Sequence, residues 1–143
     1  MKNSTVLIAI GKEGSLSDLA KKLETIRAIP ARAAILVIGE IPSFPYYAVG
    51  VSPYGMTDIP PEWQEELLAN KAALNAKAEE IKNLLLQHDV SGEVTTEACE
   101  PSQVADTIAR RAMLCDMALI SDDLRDPDTL FRQVVYGVLF QSP

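Results

Sequence analysis

Three short strings have residue types suited to gripping a nucleotide through the main chain. They are Ile10-Gly11-Lys12 at the end of the run TVLIAI, Gly39-Glu40 near the end of AAILVIGEI, and Ser121-Asp122-Asp123 at the end of MALIS. Glycine lets a ligand approach the backbone without meeting a Cβ. Free backbone N–H groups at a helix start can hold an anion. Ile10, Gly11, Lys12, Gly39, Ser121 and Asp122 are therefore the expected contacts if a nucleotide binds. Lys12 is the one basic group at the first of these strings, and its simplest role is that of a surface lysine. The eight residues SDDLRDPD, 121–128, argue against phosphate. They contain no glycine, and four aspartates face one arginine. Like charges near ~4 Å cost about 1 kcal/mol in bulk water and several at an effective dielectric near 20. No cofactor is the leading expectation.

The same aspartates read most simply as an acidic helix start that the helix dipole favours. The alternative is a magnesium or calcium site made by Asp122, Asp123 and Asp126, since hard cations take oxygen ligands. One histidine, His88, and two cysteines without a CxxC spacing give no zinc ligand set. His88 has no neighbouring nucleophile and sits where an imidazole complements a helix C-terminus. Cys115 falls on an apolar helix stripe and reads as packing. No metal and no catalytic residue is expected.

The elements that must position these residues follow from apolar patterning. Thr5–Ile10 and 33–41 are continuous branched apolar runs, as strands buried on both faces are. Between them, Ser15 is an N-cap with Asp18 three residues on, and Leu16, Leu19, Ala20, Leu23 and Ile26 keep helical spacing up to Pro30. Glu62–His88 reads as a long helix with Trp63, Leu67, Leu74, Ala78, Ile81 and Leu85 on one face, stopped by Gly92. Glu93–Cys99 alternates weakly and suits a strand near a sheet edge. Pro101 opens a further helix, Met117–Ser121 is a short strand, and Asp126-Pro127 caps a last helix through Leu139. This β-α-β-loop-α-β-α-β-α order predicts an α/β fold, an open and mostly parallel twisted sheet with helices on both faces. Ligands in such sheets sit beyond the strand carboxyl ends where the strand order reverses. The intervening stretch Pro42–Pro61 holds five of the nine prolines and three of the four tyrosines. Its Phe44, Tyr46, Tyr47 and Tyr54 are candidates for an aromatic docking or covering patch.

The 143 residues match one domain, and a hydrophobic fraction of 48% supplies a core. A net charge of −7 disfavours nucleic acid and anionic membranes as partners. No run reaches the ~18 apolar residues of a membrane span, and the N-terminus lacks a signal peptide's apolar region. The expectation is a cytoplasmic protein with reduced cysteines.

The order of elements, with the strings VLIAI, AAILVIGEI and PSQVADTIARRAMLCDMALIS, resembles the universal stress protein family, whose sheet belongs with the adenine-nucleotide alpha-hydrolase-like folds. The resemblance covers nearly the whole chain. The family's aspartate after its first strand corresponds to Gly11. Its ATP-binding members carry Gly-x2-Gly-x9-Gly-Ser/Thr after the fourth strand, where Ser121 and Leu124 stand in place of the first two glycines. The tail LFRQVVYGVLFQSP is similar to the helix that precedes the family's fifth strand, and that strand is missing. The resemblance thus implies one domain over 1–143 that stops before its last strand, acting in stress response by binding or dimerisation. Its implied partner is a second copy or a second domain of the same kind, at the edge left open. The alternative is an ATP/AMP-binding switch with weak hydrolysis. The His-x-Gly-His string of nucleotidyl-transferring enzymes on similar sheets is absent, so no enzyme is expected.

Overall fold

The computed structural model describes residues 4–42, 51–52, 55–56, 60–125 and 128–141. In chain order these form β1 (Ser4–Ile10), α1 (Leu16–Arg27), β2 (Ala31–Glu40), the two-residue strands β3 (Val51–Ser52) and β4 (Gly55–Met56), and α2 (Pro61–Gln87). Then come β5 (Gly92–Cys99), α3 (Val104–Ala112), β6 (Met117–Ile120) and α4 (Asp128–Tyr136). The main sheet is four-stranded in the order β5-β2-β1-β6. All three pairings are parallel, with Ile8 opposite both Ile35 and Leu119. The expected open parallel sheet is therefore present. The long connection adds what patterning did not predict, an antiparallel pairing of β3 with β4.

Strand alternation divides the core into two layers. Val6, Ile8 and Ile10 of β1 join Ile35 and Val37 of β2 against Leu19, Leu23 and Ile26 of α1 and Leu74, Ala78, Ile81 and Leu85 of α2. Leu7 and Ala9 join Leu36 and Ile38 on the other face, against Val104, Ile108 and Ala112 of α3 and Val134 of α4. The central strands are buried on both faces, which is why they read as unbroken apolar runs. Each fully buried leucine or isoleucine contributes about 1.5–3 kcal/mol relative to exposure.

Helix ends follow local chemistry. Ser15 Oγ accepts the Asp18 N–H at 3.3 Å and starts α1. Pro61 occupies the first turn of α2 and Glu62 supplies its acidic first turn. The stop of α2 comes earlier than Gly92. Asp89 takes φ 51, and Val90 N–H reaches back to Leu85 O at 3.1 Å, closing the helix by a left-handed turn that aspartate tolerates. His88 does more than sit at the helix end, because its Nδ1 lies 2.6 Å from Glu24 Oε1 and ties α2 to α1. Pro101 opens a 3-10 turn, Pro101–Gln103, ahead of α3. Beyond α4 the chain widens into a π-helical turn over Gly137–Gln141, so VVYGVLF is helical rather than extended.

The topology fixes where the strand order reverses. The helices that follow β1 and β2 lie on one face, and those that follow β5 and β6 lie on the other. The reversal falls between β1 and β6, and their carboxyl ends frame the crevice.

Candidate functional site

Ser121 is buried at the end of β6, where its N–H donates to Ala9 O at 2.9 Å. Leu124 N–H turns back to Ser121 O at 3.2 Å, which folds Asp122–Arg125 into a single 3-10 turn. Gly14 N–H donates to Gly11 O at 3.1 Å, so residues 11–14 make a tight turn at the end of β1. The two turns press against each other. A Cβ on Gly11 would overlap Asp123 Oδ2 and come 3.1 Å from Leu124 Cδ2. Asp123 Oδ1 is itself buried and has no hydrogen-bond partner among the described residues. The acidic helix start is thus solvated only in part. Asp122 is exposed, whereas Asp123 is packed inward against Gly11.

Of the sequence-derived contacts, Ile10, Gly11, Ser121 and Asp122 converge at this reversal point. Lys12 and Gly39, at the ends of β1 and β2, are engaged by α2 instead. Lys12 Nζ donates to Asn70 Oδ1 of α2 at 3.3 Å. Gly39 lies under Leu74, whose Cδ2 and Cδ1 would be 3.1 and 3.2 Å from a Cβ there. The missing side chain at Gly39 therefore admits a leucine of α2. Lys77 Nζ donates to Gly14 O, and Trp63 Nε1 donates to Pro42 O at 3.0 Å. Asn70, Leu74 and Lys77 recur at i, i+4 and i+7, and so form one stripe of α2 that clamps the ends of β1 and β2. Sequence patterning marked Leu74 only as core and passed over Asn70 and Lys77. Their helical spacing was the available signal. Asp126 and the aromatic residues Phe44, Tyr46, Tyr47 and Tyr54 lie outside the described residues.

Neither cysteine is placed for nucleophilic work. Burial raises the Cys99 thiol pKa, with Glu97 and Glu40 adding to the rise and a hydrogen bond from Thr107 opposing it. Burial also raises Cys115, followed by the charges of Asp116 and Glu93. Its Sγ donates to Arg111 O at 3.4 Å. A raised pKa leaves less thiolate at neutral pH, and thiolate is the reactive form. Iodoacetamide at pH 7 should label both residues more slowly than free cysteine, and faster as pH climbs past the ordinary thiol range. Rapid labelling of Cys99 in the folded protein at pH 7 would contradict this.

Among the described residues, no group of three or more His, Cys, Asp and Glu side chains could hold a metal ion. No helix of the described chain is long and apolar enough to cross a membrane. The fold and the reversal point define a Rossmann-like α/β domain with an acidic turn at the mouth of β6. No protein-family model matches the chain, and no curated protein matches it.

Proposed function

We propose that this chain is a universal-stress-protein-like domain of stress response that acts by binding or dimerisation, without catalysis and without bound ATP. One observation carries the nucleotide-free reading: Asp123 packs inward against Gly11 where the family would seat its ligand. An approaching phosphate would meet that carboxylate and the neighbouring Asp122 before any glycine-rich backbone. Like-charge contact in a partly buried crevice costs several kcal/mol at an effective dielectric near 20, at about 4 Å. Leu74 over Gly39 supports the same reading on the base side. Isothermal titration with ATP and magnesium tests it. No heat of binding is expected at micromolar nucleotide. A micromolar dissociation constant would favour the alternative, an ATP/AMP-binding switch.

Dimerisation rests on β6. It is an edge strand in the described sheet, it is apolar, and Met117 at its start is 55% exposed. An edge without charge or proline invites pairing with another chain. Sedimentation velocity should show a concentration-dependent dimer that Met117→Lys weakens. A monomer at every concentration would count against it.

A further inference from the structure

Four cavities lined by described residues all border β5. This strand forms the edge of the sheet opposite β6 and is eight residues long. Ala33 N–H donates to Ser91 O at 2.9 Å and Ile41 N–H to Cys99 O at 3.0 Å. Odd-numbered residues of β5 therefore bond toward β2. Alternation turns the N–H and C=O groups of Gly92, Val94, Thr96 and Ala98 to the open side. Natural edges are blunted by charged side chains, lysine above all, and by proline, bulges or shortness. On β5 the charges are Glu93 and Glu97, which repel a second copy of this edge but not the basic rims beside them. β5 has no lysine and no proline, and it keeps register with β2 from Gly92 to Cys99.

The cavities lie on both faces of this edge. On the α2 side, a groove of about 320 Å³ is lined by Lys71, Asn75, Thr96 and Ala98. Further along, an apolar one of about 420 Å³ is lined by Leu85, Leu86, Val90 and Val94, with Lys82 at its rim. On the α3 side, about 310 Å³ lies beside Thr107, Arg110 and Arg111. About 230 Å³ lies beside Arg32, Thr95, Arg111 and Leu114. A strand added to β5 would send its side chains alternately into these two sets. That is the geometry by which edge-strand grooves read extended peptides.

We infer that β5 is a docking edge for an extended, acidic segment of a partner protein. Charge selects the occupant. Lys71, Lys82, Arg32, Arg110 and Arg111 border the grooves on a chain whose net charge is −7, and of these Lys82 already pairs with Glu79 at 2.9 Å. The acids there are Glu93 and Glu97, and Glu97 is already paired with Arg111 at 3.1 Å. A second copy lacks the acidic row that the basic rims favour, since β5 offers only Glu93 and Glu97, and an antiparallel pairing centred on Thr95 would set these two against each other. The preferred segment carries acidic side chains toward α3 and apolar ones toward α2.

Two fluorescein-labelled dodecapeptides test this, one alternating Glu and Val and the other Lys and Val. Anisotropy at low salt should show saturable binding of the Glu-Val peptide alone, weakening as salt is added. Thr96→Pro removes an outward N–H and obstructs the open edge while leaving the β2 ladder intact. It should lower affinity at least about tenfold with an unchanged circular dichroism spectrum. Arg110→Glu, which touches no ladder bond, should weaken binding by about tenfold, and so decides the matter even if the proline variant misfolds. The proposal is overturned if neither peptide binds, if both bind alike, or if both folded variants bind as the wild type does. A dimer that Thr96→Pro dissociates, with no peptide bound, would assign the edge to a second copy and overturn it too.

Discussion

Gly11→Asp should destabilise the protein by about 3–5 kcal/mol, because it adds bulk where there is none to spare and an unpaired charge beside another. Gly11 is buried, and a Cβ there overlaps Asp123 Oδ2. The new carboxylate would stand next to Asp123, whose Oδ1 already lacks a partner among the described residues. Urea unfolding should show a lowered midpoint with an unchanged slope. Asp123→Ala alone should be neutral or stabilising by about 1 kcal/mol, since it removes an unpaired buried polar atom. Combined with Gly11→Asp it should restore more than about 1 kcal/mol of the loss, a coupling expected only of touching residues. Additive effects in the double variant would show that the two turns do not press together.

The second large effect concerns the α2 clamp. Leu74 is 2% exposed and packs on the bare Cα of Gly39. Leu74→Ala should cost about 2–5 kcal/mol, the range for deleting a buried leucine whose surroundings relax only in part. The cavity so formed would open beside the strand ends where a base would sit. ATP binding is nonetheless not expected to appear, because Asp122 and Asp123 remain at the mouth of β6. Calorimetry on the variant therefore separates steric closure on the base side from electrostatic exclusion on the phosphate side. A variant that gains ATP binding would show that Leu74, rather than the aspartates, closes the site.

Much of this architecture was written locally. The runs TVLIAI and AAILVIGEI specify strands because they are buried on both faces, and Ser15 with Asp18 specifies the start of α1. The weak alternation of residues 93–99 foretold an edge strand, and β5 is one. The site was legible in its parts and not in its contacts. That Ile10, Gly11 and Ser121 converge follows from the reversal of strand order. The inward turn of Asp123 and the seat of Leu74 on Gly39 depend on packing between residues far apart in the chain, which no local period encodes. Lys12 is the exposed surface lysine expected, and only its hydrogen bond to Asn70, 58 residues away, was beyond local reading. The end of α2 at His88 was legible, but the left-handed stop is Asp89 rather than the nearby Gly92.

The two open edges differ in physical character, and this bears on how the molecule would associate. β6 is four residues long and apolar, whereas β5 is eight residues long, bears Glu93 and Glu97, and is bordered by basic grooves. Self-association at β6 and peptide docking at β5 use separate surfaces, so Met117→Lys and Thr96→Pro should each disturb one and spare the other.

The most direct measurement is a two-dimensional ¹⁵N–¹H spectrum recorded while magnesium-ATP is added to millimolar concentration, following the amides of Gly11, Gly39 and Ser121. With Asp123 against Gly11 and Leu74 over Gly39, those three signals should hold their positions throughout. Saturable movement of all three together would show that the crevice receives the nucleotide after all.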